Sequence, residues 1–301
     1  MRMAVAASPK VAIPTIQALQ QSKHELLFLI SQPDRPAGRG RGLAQTEVST
    51  FAIENSIELH RPATTEELAP LAQRVDCIIT IGYGLLIPQK IIDIPRYGFL
   101  NLHFSLLPRW RGAAPVQRAI ESGDSLSGVT VFALDEGMDT GPIYAVRRFA
   151  LDSDITSDEL LEELAIVGVD AVMETLDSIE AGVRPVPQRN DGATRALKLS
   201  KSEGQINWEA SSTQISAKIR AFTSKPGAWT TFRGDTLKIA TPSISQEILQ
   251  PGEIRRDGKR VLIGTSDVAL EIGEITPQGK SKMNANAWAN GARLAAGERC
   301  E

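Results

Sequence analysis

The sequence predicts an α/β protein in two parts: a doubly wound, mostly parallel sheet first, and a smaller, mostly β domain after it. Short apolar runs alternate with helical patterns as far as Gly182, and closely spaced β-rich segments separated by turn pairs follow. The charge changes sign at the same place. Up to Gly182 there are 15 Lys and Arg against 24 Asp and Glu, a net of −9; beyond it there are 18 against 12, a net of +6, within a 301-residue chain of net −3. Such asymmetry points to two domains with different partners, and the basic one favours a polyanion, although a basic surface can also simply keep a small domain soluble. The expected organisation is a domain over 1–182, a linker over 183–202 carrying Val183-Arg184-Pro185-Val186-Pro187, and a second domain over 203–301.

The elements of the first part follow in order. Met3–Ala7, Leu26–Ser31, Ile57–Leu59, Cys77–Gly82 and Gly98–His103 are short and nearly free of polar residues, as strands buried on both faces of a sheet must be. Between them, Pro9–Gln21 places Val11, Ile13, Ile16 and Leu19 near one helical face, with Pro9 suited to a first turn. Glu47–Asn55 and Thr65–Gln73 are similar, the latter opening on Thr64-Thr65-Glu66-Glu67, a capping sequence with acidic residues at the positive helix end. Strand–helix–strand succession requires right-handed crossovers. Val129–Ala133 and Ile143–Ala150 continue the sheet, and a long helix runs from Ser157 to Ala181. In the second part an amphipathic helix over Ser211–Phe222 precedes short strands. Gly234-Asp235 and Asp257-Gly258 stand between alternating runs as hairpin turns, and the close spacing predicts a small barrel.

Composition removes several classes of function. With 42% hydrophobic residues and a small net charge the chain is neither disordered nor collagen-like. Its longest apolar runs fall far short of the ~20 residues of a bilayer helix, and the apolar stretch at the start is too short for a signal peptide. Two cysteines, Cys77 and Cys300, build neither a disulfide framework nor a Cys-rich metal site. A cytoplasmic setting is expected.

Chemistry is expected beyond the carboxyl ends of the strands, where open α/β sheets bind ligands. The strand Gly98–His103 carries Asn101 and His103, two apart and so on one face of an extended backbone. An Asn amide donates without titrating and an imidazole changes charge near neutrality, so the pair supplies an electrophilic donor beside an acid–base group. Either residue alone can serve a loop carbonyl and nothing more; a matched pair after a buried strand favours chemistry. A third group is Asp139, in the Gly- and Pro-bearing loop Leu134–Pro142, where a carboxylate can raise the basicity of an imidazole and fix its tautomer. Asp139-Thr140-Gly141 has no second copy to make an aspartic-protease pair. Gly38–Gly42 is not the dinucleotide fingerprint, and Gly273–Ser281 has five residues between its glycines where a phosphate loop needs four. His24 and His60 lack ligands at metal spacing and are expected at the surface or its boundary, so no metal is expected.

Asn101-Leu102-His103, then Ser105-Leu106-Leu107-Pro108-Arg109-Trp110-Arg111-Gly112-Ala113-Ala114-Pro115, then Asp139-Thr140-Gly141, resemble the folate-dependent formyltransferase family. Supporting blocks run along the whole chain: Gln32–Gly40, Tyr83–Pro88, Lys198–Lys201, Trp208 and Arg220-Ala221-Phe222. The resemblance implies a Rossmann-like first domain and an OB-like second barrel. It implies transfer of a formyl group from 10-formyltetrahydrofolate to the amino group of methionine on initiator tRNA, by a cytoplasmic monomer that needs neither metal nor membrane. By position, Asn101, His103 and Asp139 would be catalytic; Ser105, Leu106, Leu107, Pro108, Tyr83, Gly84 and Leu85 would bind the folate. Arg35, Arg39, Arg41 and Lys201 would bind tRNA, with the barrel holding phosphates nonspecifically. Related reactions on a small amine, hydrolysis of the formyl-folate, and noncatalytic RNA binding are the competing readings.

The chain departs from the family pattern in three places. Phe104 stands where a small residue or proline is usual, so its bulk must point away from the pocket or reshape it. Ala6-Ala7-Ser8-Pro9 replaces a Gly-Thr-Pro ending of the first strand, and Thr223-Ser224-Lys225-Pro226 replaces an Asn before a proline turn.

Overall fold

The computed structural model describes residues 1–37 and 42–301 and groups them into two compact units. The first comprises 1–115, 126–150 and 161–196; the second comprises 116–125, 151–160 and 197–301.

The first unit is built on a seven-stranded sheet. Its strand order is Ile143–Ala150, Leu126–Ala133, Phe99–His103, Cys77–Ile81, Arg2–Ala7, Glu25–Ile30, Leu59–His60. The last five are parallel to one another, and Arg2–Ala7 lies between Glu25–Ile30 and Cys77–Ile81, so the winding reverses beside it. Met3 to Ala7 are fully buried, as are Phe28 to Ile30 and Ile78 and Ile79, which is why these strands read as unbroken apolar runs rather than alternating ones. Leu126–Ala133 runs antiparallel to both of its neighbours, so Ile143–Ala150 regains the direction of the five; the apolar runs do not encode this single reversal.

Helices Ile13–Gln20, Glu47–Glu54 and Ser157–Glu180 fall where the periodicity puts them. Thr46 caps the second, accepting from the Ser49 amide at 3.0 Å. The expected cap at Thr64-Thr65 is not made: that helix is only Leu68–Ala72, its N-cap is Glu67, and the Glu67 carboxylate instead accepts from the Ala63 amide. Gly168 lets the long helix approach the strand that carries Asn101, because a Cβ there would sit 2.7 Å from Leu102 Cδ2.

The second unit is an antiparallel sheet in the order Ala228–Phe232, Asp235–Ile244, Leu270–Pro277, Arg260–Ile263, Ile254–Asp257. Both expected hairpins form, with Arg233-Gly234 and Gly258-Lys259 at the turns. The segment 298–301 bonds to both edges, to Thr231 on one side and to Gly252 and Ile254 on the other, which curls the sheet toward a barrel. Helix Ser212–Ala221 begins with a complete capping box between Ser211 and Gln214. Among the described residues no helix is long and apolar enough to cross a membrane.

Candidate active site

A cavity of about 510 Å³ lies in the first unit, lined by the segment that follows strand Cys77–Ile81, by Asn101–Phe104, by Gly112 and Ala113, and by the 134–139 loop. It therefore occupies the place where a doubly wound sheet presents its loops. Asn101 and His103 both line it, as period-two spacing requires.

Each polar group is held by a partner that leaves its reactive end free. Thr80 Oγ1 lies 2.8 Å from Asn101 Oδ1 and 3.1 Å from the Leu100 carbonyl, and its single proton serves the shorter contact. With its oxygen so engaged, Asn101 keeps its NH2 for a ligand. His103 Nε2 is 2.9 Å from the Trp110 carbonyl oxygen. A carbonyl can only accept, so Nε2 carries the hydrogen and Nδ1 is the basic nitrogen of the neutral ring. Nδ1 stands 3.7 Å from Asp139 Oδ2, too far for a hydrogen bond but with the carboxylate and the ring facing each other across the cavity wall. Asp139 Oδ2 accepts from the Gly112 amide at 2.7 Å.

The loops that deliver these groups are tightly determined. Strand Leu126–Ala133 runs against Phe99–His103, with Ala133 opposite Leu100, so the loop after it must return along that strand to bring Asp139 to His103. Gly141 makes this turn possible: a Cβ there would lie 1.7 Å from the Ala133 carbonyl oxygen. Asp135 Oδ1 accepts from Thr140 Oγ1 at 2.7 Å and from the Gly137 amide at 3.0 Å, closing the turn.

The residues expected to bind folate divide. Tyr83, Gly84 and Leu85 line the cavity; the Tyr83 hydroxyl is buried with no hydrogen-bond partner among the described residues, and burial pushes the phenol up to about 12. Ser105, Leu106, Leu107 and Pro108 are not part of the cavity wall. They form the support behind His103 instead: Ser105 Oγ donates to the Arg109 carbonyl at 2.7 Å, Thr130 Oγ1 donates to the Ser105 carbonyl at 2.7 Å, and the Leu107 amide donates to Thr130 Oγ1 at 3.1 Å. Phe104 joins the wall, so its bulk shapes the pocket. Beside Ala7 the close approach is between Pro9 and Gly82, where a Cβ would meet Pro9 Cγ at 2.8 Å.

Arg35 donates to Gln32 Oε1 at 2.7 Å, and Gln32 Nε2 donates to the Tyr83 carbonyl at 3.1 Å, so this arginine is linked to the cavity wall. Arg39 and Arg41 lie outside the described residues. Lys201 is exposed in the second unit, where its carbonyl accepts from Trp229 Nε1 at 2.8 Å. His24, expected near the surface, is buried, with Nδ1 3.6 Å from Glu180. Its ligand-bearing neighbours come from a helix more than 150 residues away, which local spacing cannot register. Asp177 and Glu180 each hold Lys23 at 2.8 Å, and His24, Asp177 and Glu180 are the group of His and acidic residues whose ligand atoms approach closely enough to grip an ion among the described residues.

Residues that sequence reasoning missed are Thr80, which orients Asn101, and Gln188, which donates to the carbonyls of Asp139 and Gly141 at 3.0 and 2.7 Å. The sole local signal for Thr80 is a lone hydroxyl in an otherwise apolar strand.

Residues 1–176 match the formyl transferase family model and residues 198–293 match the formyl transferase C-terminal domain. Methionyl-tRNA formyltransferase of Salinispora tropica is 42% identical over 305 residues, 99% of each chain, and those of Streptomyces griseus and Thermobifida fusca are 40% identical over 99% of each chain. Among solved structures, HypX from Aquifex aeolicus in complex with tetrahydrofolic acid superposes with a TM-score of 0.71 at 22% identity. The match covers 96% of this chain, which spans about half of HypX, 47%. The sugar 3N-formyl transferase WlaRD superposes with a TM-score of 0.69 at 19% identity, covering 93% of this chain and 99% of its own. At such identities the two structures speak for the fold.

Proposed function

Since the chain belongs to the formyl transferase family, we propose that it is an enzyme moving the formyl group of 10-formyltetrahydrofolate to the amino group of methionine on initiator tRNA, in translation initiation. The observation that carries the chemistry is the meeting of Asn101, His103 and Asp139 on one cavity, with Nδ1 and Oδ2 3.7 Å apart. The full-length relatives at about 40% identity carry the choice of acceptor.

The cavity suits a folate head group. Leu85, Ile87, Ile92 and Leu134 give it an apolar wall for a flat heterocycle. The folate supplies a formyl group on an amide nitrogen that leaves readily, so the reaction needs no metal to activate it. Asn101 donates its NH2 to the oxygen on which negative charge develops, a preorganised interaction worth about 10²–10³ in rate. His103 takes up at Nδ1 the proton lost by the attacking nitrogen and gives it to the folate nitrogen as the formyl C–N bond breaks, so that the folate leaves as a neutral amine; Asp139 beside it stabilises the transient imidazolium, a contribution of roughly 10²–10⁴. Gly112 keeps that carboxylate in place, and Trp110 keeps the ring in the productive tautomer. Ser105, Leu106, Leu107 and Pro108 serve the reaction by fixing the loop that carries Trp110.

Acceptor binding falls to Arg35, Arg39 and Arg41, whose planar guanidinium groups suit phosphate and base edges, and to Lys201 with the rest of the second domain. The assignment divides the chain into a catalytic domain over 1–182, a linker over 183–202 and a tRNA-binding domain over 203–301, working as a cytoplasmic monomer. The test is incubation of the purified protein with labelled 10-formyltetrahydrofolate and either charged initiator tRNA, glycinamide ribonucleotide or a sugar-nucleotide amine. Label is expected on the tRNA alone. Label on a small amine, or release of free formate, defeats the assignment.

A further inference from the structure

The geometry points to Gln188 as a positioning residue for formyl transfer, and to the segment 186–196 as a brace of the active site rather than a simple tether; this rests on the reaction proposed above. Asp139 has φ +55°, a left-handed conformation that is costly for a non-glycine residue, so something must hold it. Gln188 does so. Its Nε2 donates to the Asp139 carbonyl at 3.0 Å and to the Gly141 carbonyl at 2.7 Å, gripping the turn on both sides of Thr140. Its Oε1 accepts from Arg111 Nη2 at 2.8 Å and Nε at 3.3 Å. A guanidinium only donates, so the Gln188 oxygen must face Arg111 and its NH2 must face the two carbonyls.

The segment around Gln188 is anchored at both ends. Val186 exchanges backbone hydrogen bonds of 2.7 and 2.8 Å with Ile143, and Arg195–Ala196 pairs with Arg111–Gly112. Between them, Thr194 Oγ1 accepts from the Trp110 amide at 2.9 Å and the Thr194 carbonyl accepts from the Arg111 amide at 2.9 Å. One stretch of chain thus fixes Trp110, whose carbonyl sets the His103 tautomer, Gly112, whose amide holds the Asp139 carboxylate, and the backbone of Asp139 itself. Gln188 is turned inward between exposed neighbours, Pro187 and Arg189, yet it does not line the cavity, so it acts through Asp139 and not on substrate.

The test compares Gln188→Met and Gln188→Glu with wild type and with Asp139→Asn in formyl transfer to charged initiator tRNA. Gln188→Met removes every polar interaction at similar length. Gln188→Glu keeps an acceptor for Arg111, and with it the strap, but loses both donors to the loop. Each is expected to lower kcat about 10- to 100-fold, the cost of a small misplacement, with KM for both substrates within about threefold. Because the effect passes through the carboxylate, Gln188→Met added to Asp139→Asn is expected to cost little more than Asp139→Asn alone. Wild-type kcat in either variant, or a full additional loss in the double variant, overturns the inference. So does failure of both variants to fold, which makes the strap a stability element. A wild-type protein that transfers no formyl group defeats the proposed reaction itself, and this inference with it.

Discussion

In the first unit the decisive polar groups face a cavity and are held by backbone or neutral partners: Asn101 by Thr80, His103 by the Trp110 carbonyl, Asp139 by the Gly112 amide. In the second unit the charged groups hold one another. Arg118 pairs with Glu121 and Glu203 at 2.8 and 2.7 Å, Arg233 with Glu298 at 2.6 Å, and Arg255 with Glu247 at 3.1 Å, while Arg260 binds both Glu247 and Asp257. A neutral partner fixes a side chain without cancelling its chemistry; an ion pair fixes it by cancelling its charge. Such pairing leaves the downstream excess of +6 unchanged and concentrates it on the cations that have no carboxylate partner. Lys198, Lys201, Lys259 and Lys280 are exposed and pair with no carboxylate among the described residues, whereas Lys218 stands 3.6 Å from Glu121 and Arg220 donates to the Ile155 carbonyl.

The contrast is broken most severely by attacking the inward-facing set. Asp139→Asn keeps the shape of the side chain and removes its charge, and is expected to lower turnover by roughly 10²–10⁴ with tRNA affinity nearly unchanged. Asn101→Ala is expected to cost about 10²–10³ in kcat. Single-turnover kinetics with bound tRNA measure both, and normal turnover in either variant removes that residue from the mechanism.

A smaller effect is expected from the cations. Binding of tRNA is expected to weaken steeply with salt, and the log–log slope to fall by about one for each phosphate that is no longer neutralised. Lys201→Ala and Arg39→Ala are expected to lower the slope, while Arg233→Ala, whose charge is already paired, leaves it unchanged. Equal slopes in all three show that the pairs do not shield the surface.

The smallest effect is on acid stability. Hydrogen bonding from Arg118 holds the Glu203 carboxyl down at about 2, against an ordinary 4.5. A depressed carboxylate contributes stability that is fully present above its unfolded value and is lost as pH falls from about 4.5 toward about 2. Melting curves over that range are expected to show a shallower acid loss for Glu203→Gln than for wild type. Identical pH dependence means that the pair, half-buried as it is, adds nothing.

Much of the site was legible because its signals are local. Asn101 and His103 share a face by the two-residue period of a strand, and the apolar runs on either side mark a buried sheet. Phe104 was visible as a departure, but whether it lined the pocket depended on how the chain turned after His103. Ser105 to Pro108 matched a motif, and their place behind the wall instead of in it was decided by the hydroxyl of Thr130, 25 residues on from Ser105.

The sequence by itself determined the alternation of elements, both hairpin turns, the strand that carries the reactive pair and the family, because backbone periodicity and turn chemistry are written in neighbouring residues. The tertiary structure alone decided the reversed direction of strand Leu126–Ala133, the burial of His24, the pairing of the second unit's arginines, and the return of Gln188 to a loop 49 residues upstream. Each of these depends on where distant segments meet, and that is set by packing of the whole chain and not by any local pattern.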